Sequence, residues 1–327
     1  MNSFVKTQLL QYFNATDVFE SETIQSLWSD YGTISRWRLT GAQIETVIVK
    51  HICFPEQSNH PRGWNSNTAH LRKVKSYEVE LEWYRNWAIK ANENCRVPLC
   101  YFSSELAQEK LLVLEDLDAA GYELRRSHLE VNDVKVCLKW LANFHGKFMK
   151  QKPTQLWNEG SYWHLETRPD ELLAMESSWL KDNAKNLAEK LKNCNYQTLI
   201  HGDAKVANFC FSPNMDAVAA VDFQYVGGGC GMKDVAYFLG SCLTENTCEL
   251  YETELLEFYF QYLMQAIKRS NNTIDIVALE QEWRYLYSFA WADFSRFLLG
   301  WMPTHPKLNG YSKKMVEKTF LSIKEDS

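Results

Sequence analysis

Three short apolar runs separated by two polar turns constrain this chain more than any other feature. Leu199-Ile200 runs into His201-Gly202-Asp203-Ala204-Lys205-Val206-Ala207-Asn208. Phe209-Cys210-Phe211 then leads to the turn Ser212-Pro213-Asn214, and Ala217-Val218-Ala219-Ala220-Val221 ends on Asp222-Phe223-Gln224. Runs this short, bounded by turn residues, suit buried strands. The polar residues then sit at strand ends, where buried backbone holds them rigidly.

Two acids, a lysine and an asparagine so placed suit phosphoryl transfer, which needs positioning and charge neutralisation. An unpaired carboxylate can accept the proton of an attacking hydroxyl, and Asp203 suits that role. Magnesium takes oxygen ligands, commonly one or two carboxylates together with phosphates and water. Asp222 offers a carboxylate and Asn208 an amide oxygen. Lys205 can lie against the transferred group and offset its charge. Taken singly, each residue has a plainer explanation as a turn former, a cap or a loop residue. His201 reads as a packed, hydrogen-bonded structural histidine. Two strand-flanked acids with Lys and Asn at fixed offsets are harder to obtain by chance.

The string H-G-D-x-x-x-x-N followed by D-F-Q resembles the aminoglycoside phosphotransferase and choline kinase superfamily. The fuller string HGDAKVANF…VDFQYVGGGCGMKDVAYFLGS is most similar to the ecdysteroid-kinase-like branch, including its bacterial members. The resemblance implies an α+β, bilobal protein-kinase-like fold with a small strand-rich N-lobe and a larger, mainly helical C-lobe. It implies Asp203 as catalytic base, Asn208 and Asp222 as metal ligands, and ATP and Mg2+ as cofactors. The spacing of a protein kinase catalytic loop is kept, with Gly202 where those enzymes usually carry Arg. That change argues against a phosphorylated activation loop.

A kinase of this type needs a strand Lys that reaches the phosphates and a helix Glu that orients it. Glu45 to Ile52 alternates and is β-branched, so it reads as a strand carrying Lys50. Trp28 to Leu39 reads as earlier strand material, joined to it by the turn signal Thr40-Gly41. A helix is expected over 72–91, with Val79, Trp83 and Trp87 on one side and Glu80 and Tyr84 on the neighbouring one. Glu80 is the expected partner of Lys50, and Glu78 competes with it. Lys110 to Leu117 runs up to an acidic pair, where the resemblance places the link between the lobes. Glu115 and Leu117 are the positions whose backbone would meet the adenine edge. No G-x-G-x-x-G precedes Lys50, so a shorter turn around Gly32 is expected to cover the phosphates. Gly227 to Gly231 reads as too flexible for a strand. Asp234 reads as a helix cap, and by resemblance as a brace behind the catalytic loop.

A chain of 327 residues, 46% hydrophobic and 23% charged, can bury a large core. Its net charge of −6, with basic residues scattered, argues against nucleic acid as a partner. No stretch reads as a membrane span or signal peptide. The nine Cys include no C-x-x-C pair and look like free thiols in a reducing compartment, so the cytoplasm is the expected location. Residues 54–70 read as an inserted loop. Helices are expected from Val131 and near 170–192, 249–270, 276–300 and 311–324. The lobes divide at about residue 115, with 1–115 covering the nucleotide and 116–327 carrying the catalytic loop, metal site and acceptor pocket. Trp291, Asp293 and Arg296 are candidate acceptor contacts on the late helices, although Asp293 and Arg296 also have the spacing to pair with each other.

The expected activity is ATP- and Mg-dependent transfer of the γ-phosphate to a hydroxyl of a small molecule, a choline-, aminoglycoside- or steroid-like alcohol. The alternative is a catalytically inactive kinase-like module that binds a nucleotide or metabolite. A protein kinase is disfavoured by the short Gly-rich stretch after Asp222.

Overall fold

The computed structural model describes residues 3–27, 31–54, 67–106, 109–270 and 273–325. The chain opens with α1 (Ser3–Phe13) and the strands β1 (Asp17–Ser26), β2 (Gly32–Thr40) and β3 (Thr46–Cys53). Helix α2 (Asn67–Glu82) follows, then β4 (Cys100–Leu106) and β5 (Glu109–Glu115). The five strands form one antiparallel sheet in the order β1-β2-β3-β5-β4. Strand β3 is central, and its period of two decides what each residue meets. Val47 and Val49 pack with Val5 and Leu9 of α1 on one face. Ile48 and Lys50 therefore face the other way, into the cleft.

Lys50 lies inside β3, three residues before its end. Trp28 to Asp30 lie outside the described residues, as do residues 55–66 of the inserted loop. Strand β1 is not legible in the sequence. It is an edge strand in which only Val18 is buried, so it has no alternating apolar pattern. The helix expected over 72–91 changes pitch instead of continuing. Trp83–Trp87 form a π-turn and Ala88–Lys90 a 3-10 turn. The π-turn shifts the helical register, and Trp83, Tyr84 and Trp87 are all buried. Trp83 stacks on Phe223 at 4.4 Å between ring centroids.

The rest of the chain is mainly helical. Helix α3 (Val131–Lys147) carries the expected apolar face and packs along a later helix. The expected helix near 170–192 is three short ones, α4 (Pro169–Ala174), α5 (Trp179–Asp182) and α6 (Ala184–Lys192). Ser178 caps the second, its hydroxyl accepting from Lys181 N. Four short strands follow: β6 (Thr198–Ile200), β7 (Phe209–Phe211), β8 (Val218–Ala220) and β9 (Gly227–Gly229). Helices α7 (Met232–Cys242), α8 (Glu245–Arg269), α9 (Ile276–Trp301) and α10 (Gly310–Glu325) complete the order. Helix α3 packs along α8, while α9 contacts α4, α6, α7 and α10 and is buried on nearly every side.

The glycine run corrects the expectation of an irregular loop. Strand β9 pairs antiparallel with β6, Ile200 opposite Gly227 and Thr198 opposite Gly229. Its other edge meets residues 157–160 so closely that side chains do not fit. A Cβ on Gly227 would lie 2.3 Å from the Trp157 carbonyl oxygen, and one on Gly228 2.8 Å from that of Asn158. The glycines serve close backbone packing, not looseness.

All nine cysteines are free, seven of them buried. Among the described residues no helix is long and apolar enough to cross a membrane.

Trp83 is fully buried and joins α2 to the turn after Asp222. Trp83→Ala should cost about 3–5 kcal/mol of stability, as large-to-small changes of buried aromatics do. Urea unfolding followed by circular dichroism measures this. A loss below about 1 kcal/mol would show that the stack is peripheral.

Candidate active site

The loop after β6 is held from behind by one buried carboxylate. Asp234, in the first turn of α7, is fully buried. Its Oδ2 accepts from His201 N at 2.6 Å and its Oδ1 from Gly202 N at 2.9 Å. His145 Nε2 lies 3.2 Å from the same Oδ2, and its Nδ1 is 2.7 Å from the Tyr259 hydroxyl. Asp234 therefore braces the loop rather than capping its own helix. Gly202 has φ +79°, and a Cβ there would lie 2.1 Å from the Tyr225 carbonyl oxygen. No larger residue fits at that position.

His201 ties the two turns together. Its Nε2 donates to Val221 O at 3.0 Å, and its Nδ1 accepts from Asp203 N at 3.2 Å. Asn208 Nδ2 donates to Asp203 O at 2.8 Å and to Asp203 Oδ2 at 3.2 Å. That use of the amide nitrogen leaves the Asn208 side-chain oxygen for a cation. Lys205 Nζ lies 3.0 Å from Asp203 Oδ2. Burial raises the Asp203 carboxyl above its ordinary value, although Lys205 works against the shift.

Asp222 has φ +69°, a left-handed conformation that Asp tolerates better than most residues. Its Oδ1 is buried without a hydrogen-bond partner and sits 3.6 Å from Lys50 Nζ. Burial opposes its ionisation, but Lys50, Lys205 and Lys73 outweigh that and hold its carboxyl below the usual value. Lys50 Nζ meets Glu80 Oε1 at 3.0 Å and Oε2 at 2.7 Å. Glu78 is turned outward, 4.0 Å from Lys110. Burial would lower the Lys50 ammonium, but Glu80 and Asp222 more than offset it and hold it above its ordinary value.

Of these groups Lys50, Glu80, Asn208 and Asp222 line a cavity of about 280 Å³. Glu115, Asp116 and Leu117 line it elsewhere, with Ile48, Leu114 and Val221 as apolar walls. The Glu115 carboxylate is bound by Arg96 at 2.6 Å and by Leu99 N at 3.0 Å. Among the described residues no group of three or more His, Cys, Asp or Glu could hold a metal. Asp222 Oδ1, which accepts no hydrogen bond, and the Asn208 side-chain oxygen still fit magnesium, which completes its shell with phosphates and water.

Other expected residues stand elsewhere. Gly32 does not line the cavity. It lets β2 approach β3, since a Cβ at its φ of +130° would lie 1.9 Å from the His51 carbonyl oxygen. Asp293 and Arg296 are buried and paired, Nε to Oδ1 at 2.9 Å, and Arg296 Nη2 donates to Trp163 O at 3.0 Å. Trp291 is buried against Tyr311. These three are core residues of a helix buried on nearly every side, and none of them lines the cavity.

Lys73 is a further partly buried charge here that no sequence motif singles out. Its Nζ donates to Gln224 Oε1 at 2.7 Å and lies 4.6 Å from the Tyr77 ring centroid. Burial pushes its ammonium down to about 8. Lys73, Tyr77 and Glu80 share one helical face at i, i+4 and i+7, a spacing that could have exposed it.

A sequence model of the ecdysteroid kinase-like family matches residues 40–159 and 161–272. Among curated proteins no sequence match is found. An ethanolamine kinase from Plasmodium vivax superposes with a TM-score of 0.51 at 13% identity, over 94% of this chain and 83% of that one. An amicoumacin kinase gives 0.49 at 14% identity, over 100% and 97% of the two chains. A microcompartment-associated aminopropanol kinase gives 0.49 at 15%, over 96% and 93%. The first likeness shows the fold, a kinase-like α+β arrangement with its sheet first and its helices after.

Asp234→Asn would set an amide NH2 against backbone N–H groups and leave a buried donor unmet. It should cost about 3 kcal/mol, read as a fall in the urea midpoint. A variant within about 0.5 kcal/mol of wild type would show that other contacts hold the loop.

Proposed function

The chain belongs to the ecdysteroid kinase-like family, and from that footing we propose an ATP- and Mg-dependent phosphotransferase acting on a hydroxyl of a small molecule. The observation that carries this reading is the convergence of Asn208, Asp222 and the Lys50–Glu80 pair on a single cavity, with Asp203 hydrogen-bonded to Asn208 behind it. In this reading residues 1–115 cover the nucleotide, and the backbone at Glu115 to Leu117 meets the base edge. Residues 116–327 carry the loop and the acceptor side.

Asp203 accepts the proton of the acceptor hydroxyl as its oxygen bonds to the γ-phosphorus and the bond to the bridging oxygen of ADP breaks. Its raised proton affinity suits a base, and Lys205 and Asn208 hold one of its oxygens so that the other can face the acceptor. Lys50, steadied by Glu80, anchors the phosphates. Asp222 stays ionised and, with Asn208, would hold magnesium. That ion, when bound, neutralises the charge on the phosphate oxygens.

Asp203→Asn should lower kcat by about 10²–10⁴-fold, the usual worth of general-base catalysis. ADP release measures this across a panel of alcohols, and ATP affinity should hold. An affinity that falls with kcat would move Asp203 into nucleotide binding instead. Asp222→Ala should make ATP affinity, measured by calorimetry, insensitive to added magnesium. A variant still tightened by magnesium to the wild-type extent would remove Asp222 from the metal site.

A further inference from the structure

Asp203 has a second neighbourhood that shares no residue with the nucleotide cavity. The loop around Tyr162 lies against the catalytic loop, with Tyr162 N donating to Gly202 O at 3.1 Å. The Tyr162 ring stands 5.5 Å from Tyr237 and 5.4 Å from Phe297. Burial, with the charge of Asp203 beside it, raises the Tyr237 phenol well above its ordinary value. An aromatic wall of this kind could seat a cationic amine by cation–π attraction.

That seat is already taken. Lys307 Nζ lies 4.7 Å from the Tyr237 ring centroid and 5.5 Å from that of Phe294. Burial lowers its ammonium to about 8, so it is charged at neutral pH. Among the described residues it makes no ion pair. Arg72, beside Tyr225 and Arg168, also makes none and donates to Thr167 O at 2.6 Å. The carboxylates on this side are already matched: Asp203, whose charge steadies the Lys307 ammonium, is 3.0 Å from Lys205. Glu171 is 2.9 Å from Arg168, and Glu159 is 3.0 Å from Lys233. The balance of unmatched charge is positive, and an amine would meet it as a like charge.

We propose that the acceptor is an alcohol carrying an anionic group, and that Lys307 selects that charge. This deepens the phosphotransferase reading and rests on it. The anion pairs with the Lys307 ammonium while the apolar part of the acceptor lies against the partly exposed Tyr162 ring, which brings its hydroxyl toward Asp203.

The test uses two alcohols that differ only in charge, para-hydroxymethylbenzoate and para-hydroxymethylbenzylamine. Binding to the full chain is read by calorimetry with magnesium and a non-hydrolysable ATP analogue, and turnover by ADP release. The benzoate should bind roughly tenfold more tightly, the worth of one charge-assisted hydrogen bond. Lys307→Ala should erase the preference and raise KM for the benzoate while kcat is largely kept. Lys307→Arg should retain the preference, and Lys307→Glu should reverse it. Equal or tighter binding of the amine by wild type overturns the inference, as does a preference that survives Lys307→Ala or a failure of both probes to bind at millimolar concentration. Turnover of the amine in the first case leaves the phosphotransferase reading standing. A Lys307-dependent preference with no ADP release from any alcohol overturns that reading and leaves the charge selection in place.

Discussion

A single carboxylate with no exposed surface sets the position of everything reactive here. Asp234 takes the backbone N–H groups of His201 and Gly202, and His145 closes its remaining side. Buried amides at that turn have no water to fall back on, so the loop must keep this arrangement. The constraint then passes along the chain. The His201 ring joins Asp203 N to Val221 O, so one imidazole fixes the spacing of the two acids. Below it, Phe223 lies 4.5 Å from His201 and 4.4 Å from Trp83. Trp83 follows directly on the helix that carries Glu80. The sheet-borne Lys50 is thus referenced to the same core as Asp203 through a continuous aromatic stack.

This geometry is not the most stable use of these residues. Lys50 and Glu80 are almost completely buried, and the desolvation of such a pair can outweigh its attraction. Asp222 adds a left-handed backbone and an oxygen without a partner. Each of these is a local cost that the aromatic packing of α2, α3 and the Phe223 turn offsets. The cluster makes sense when the missing partners are a cation and phosphate oxygens, which the structure's own residues do not supply.

Much of this was legible in the sequence, for physical reasons. Short apolar runs bounded by turns can only be buried strands, so β6, β7 and β8 and the polar loop ends between them follow directly. Lys50 follows from alternation, and Glu80 from sharing a helix side with Tyr84. The failures are equally physical. In α9 apolar residues surround the axis, so no face marks a pocket, and Asp293 pairs with Arg296 inside the core. Strand β9 is glycine because the backbone of residues 157–160 and the Ile200 side chain crowd it, and local propensity has no knowledge of that crowding. Gly32 and β1 fail similarly, since close approach of β2 to β3 and edge pairing leave no periodic signal.

The segment after the Asp222 turn explains why the loop needs no added charge to hold it. Residues 224–231 are all that separate Phe223 from α7, and they are pinned on both edges. Gly227 and Gly229 pair with β6 on one side. On the other, Gly228 N donates to Trp157 O at 3.0 Å and Gly160 N to Gly228 O at 2.8 Å. The same run brings Tyr225 O to the place where a side chain on Gly202 would stand. An Arg there could not coexist with this packing. The loop is therefore ordered by backbone hydrogen bonds already present in the fold, and Gly202 offers no guanidinium for a charge-driven ordering step.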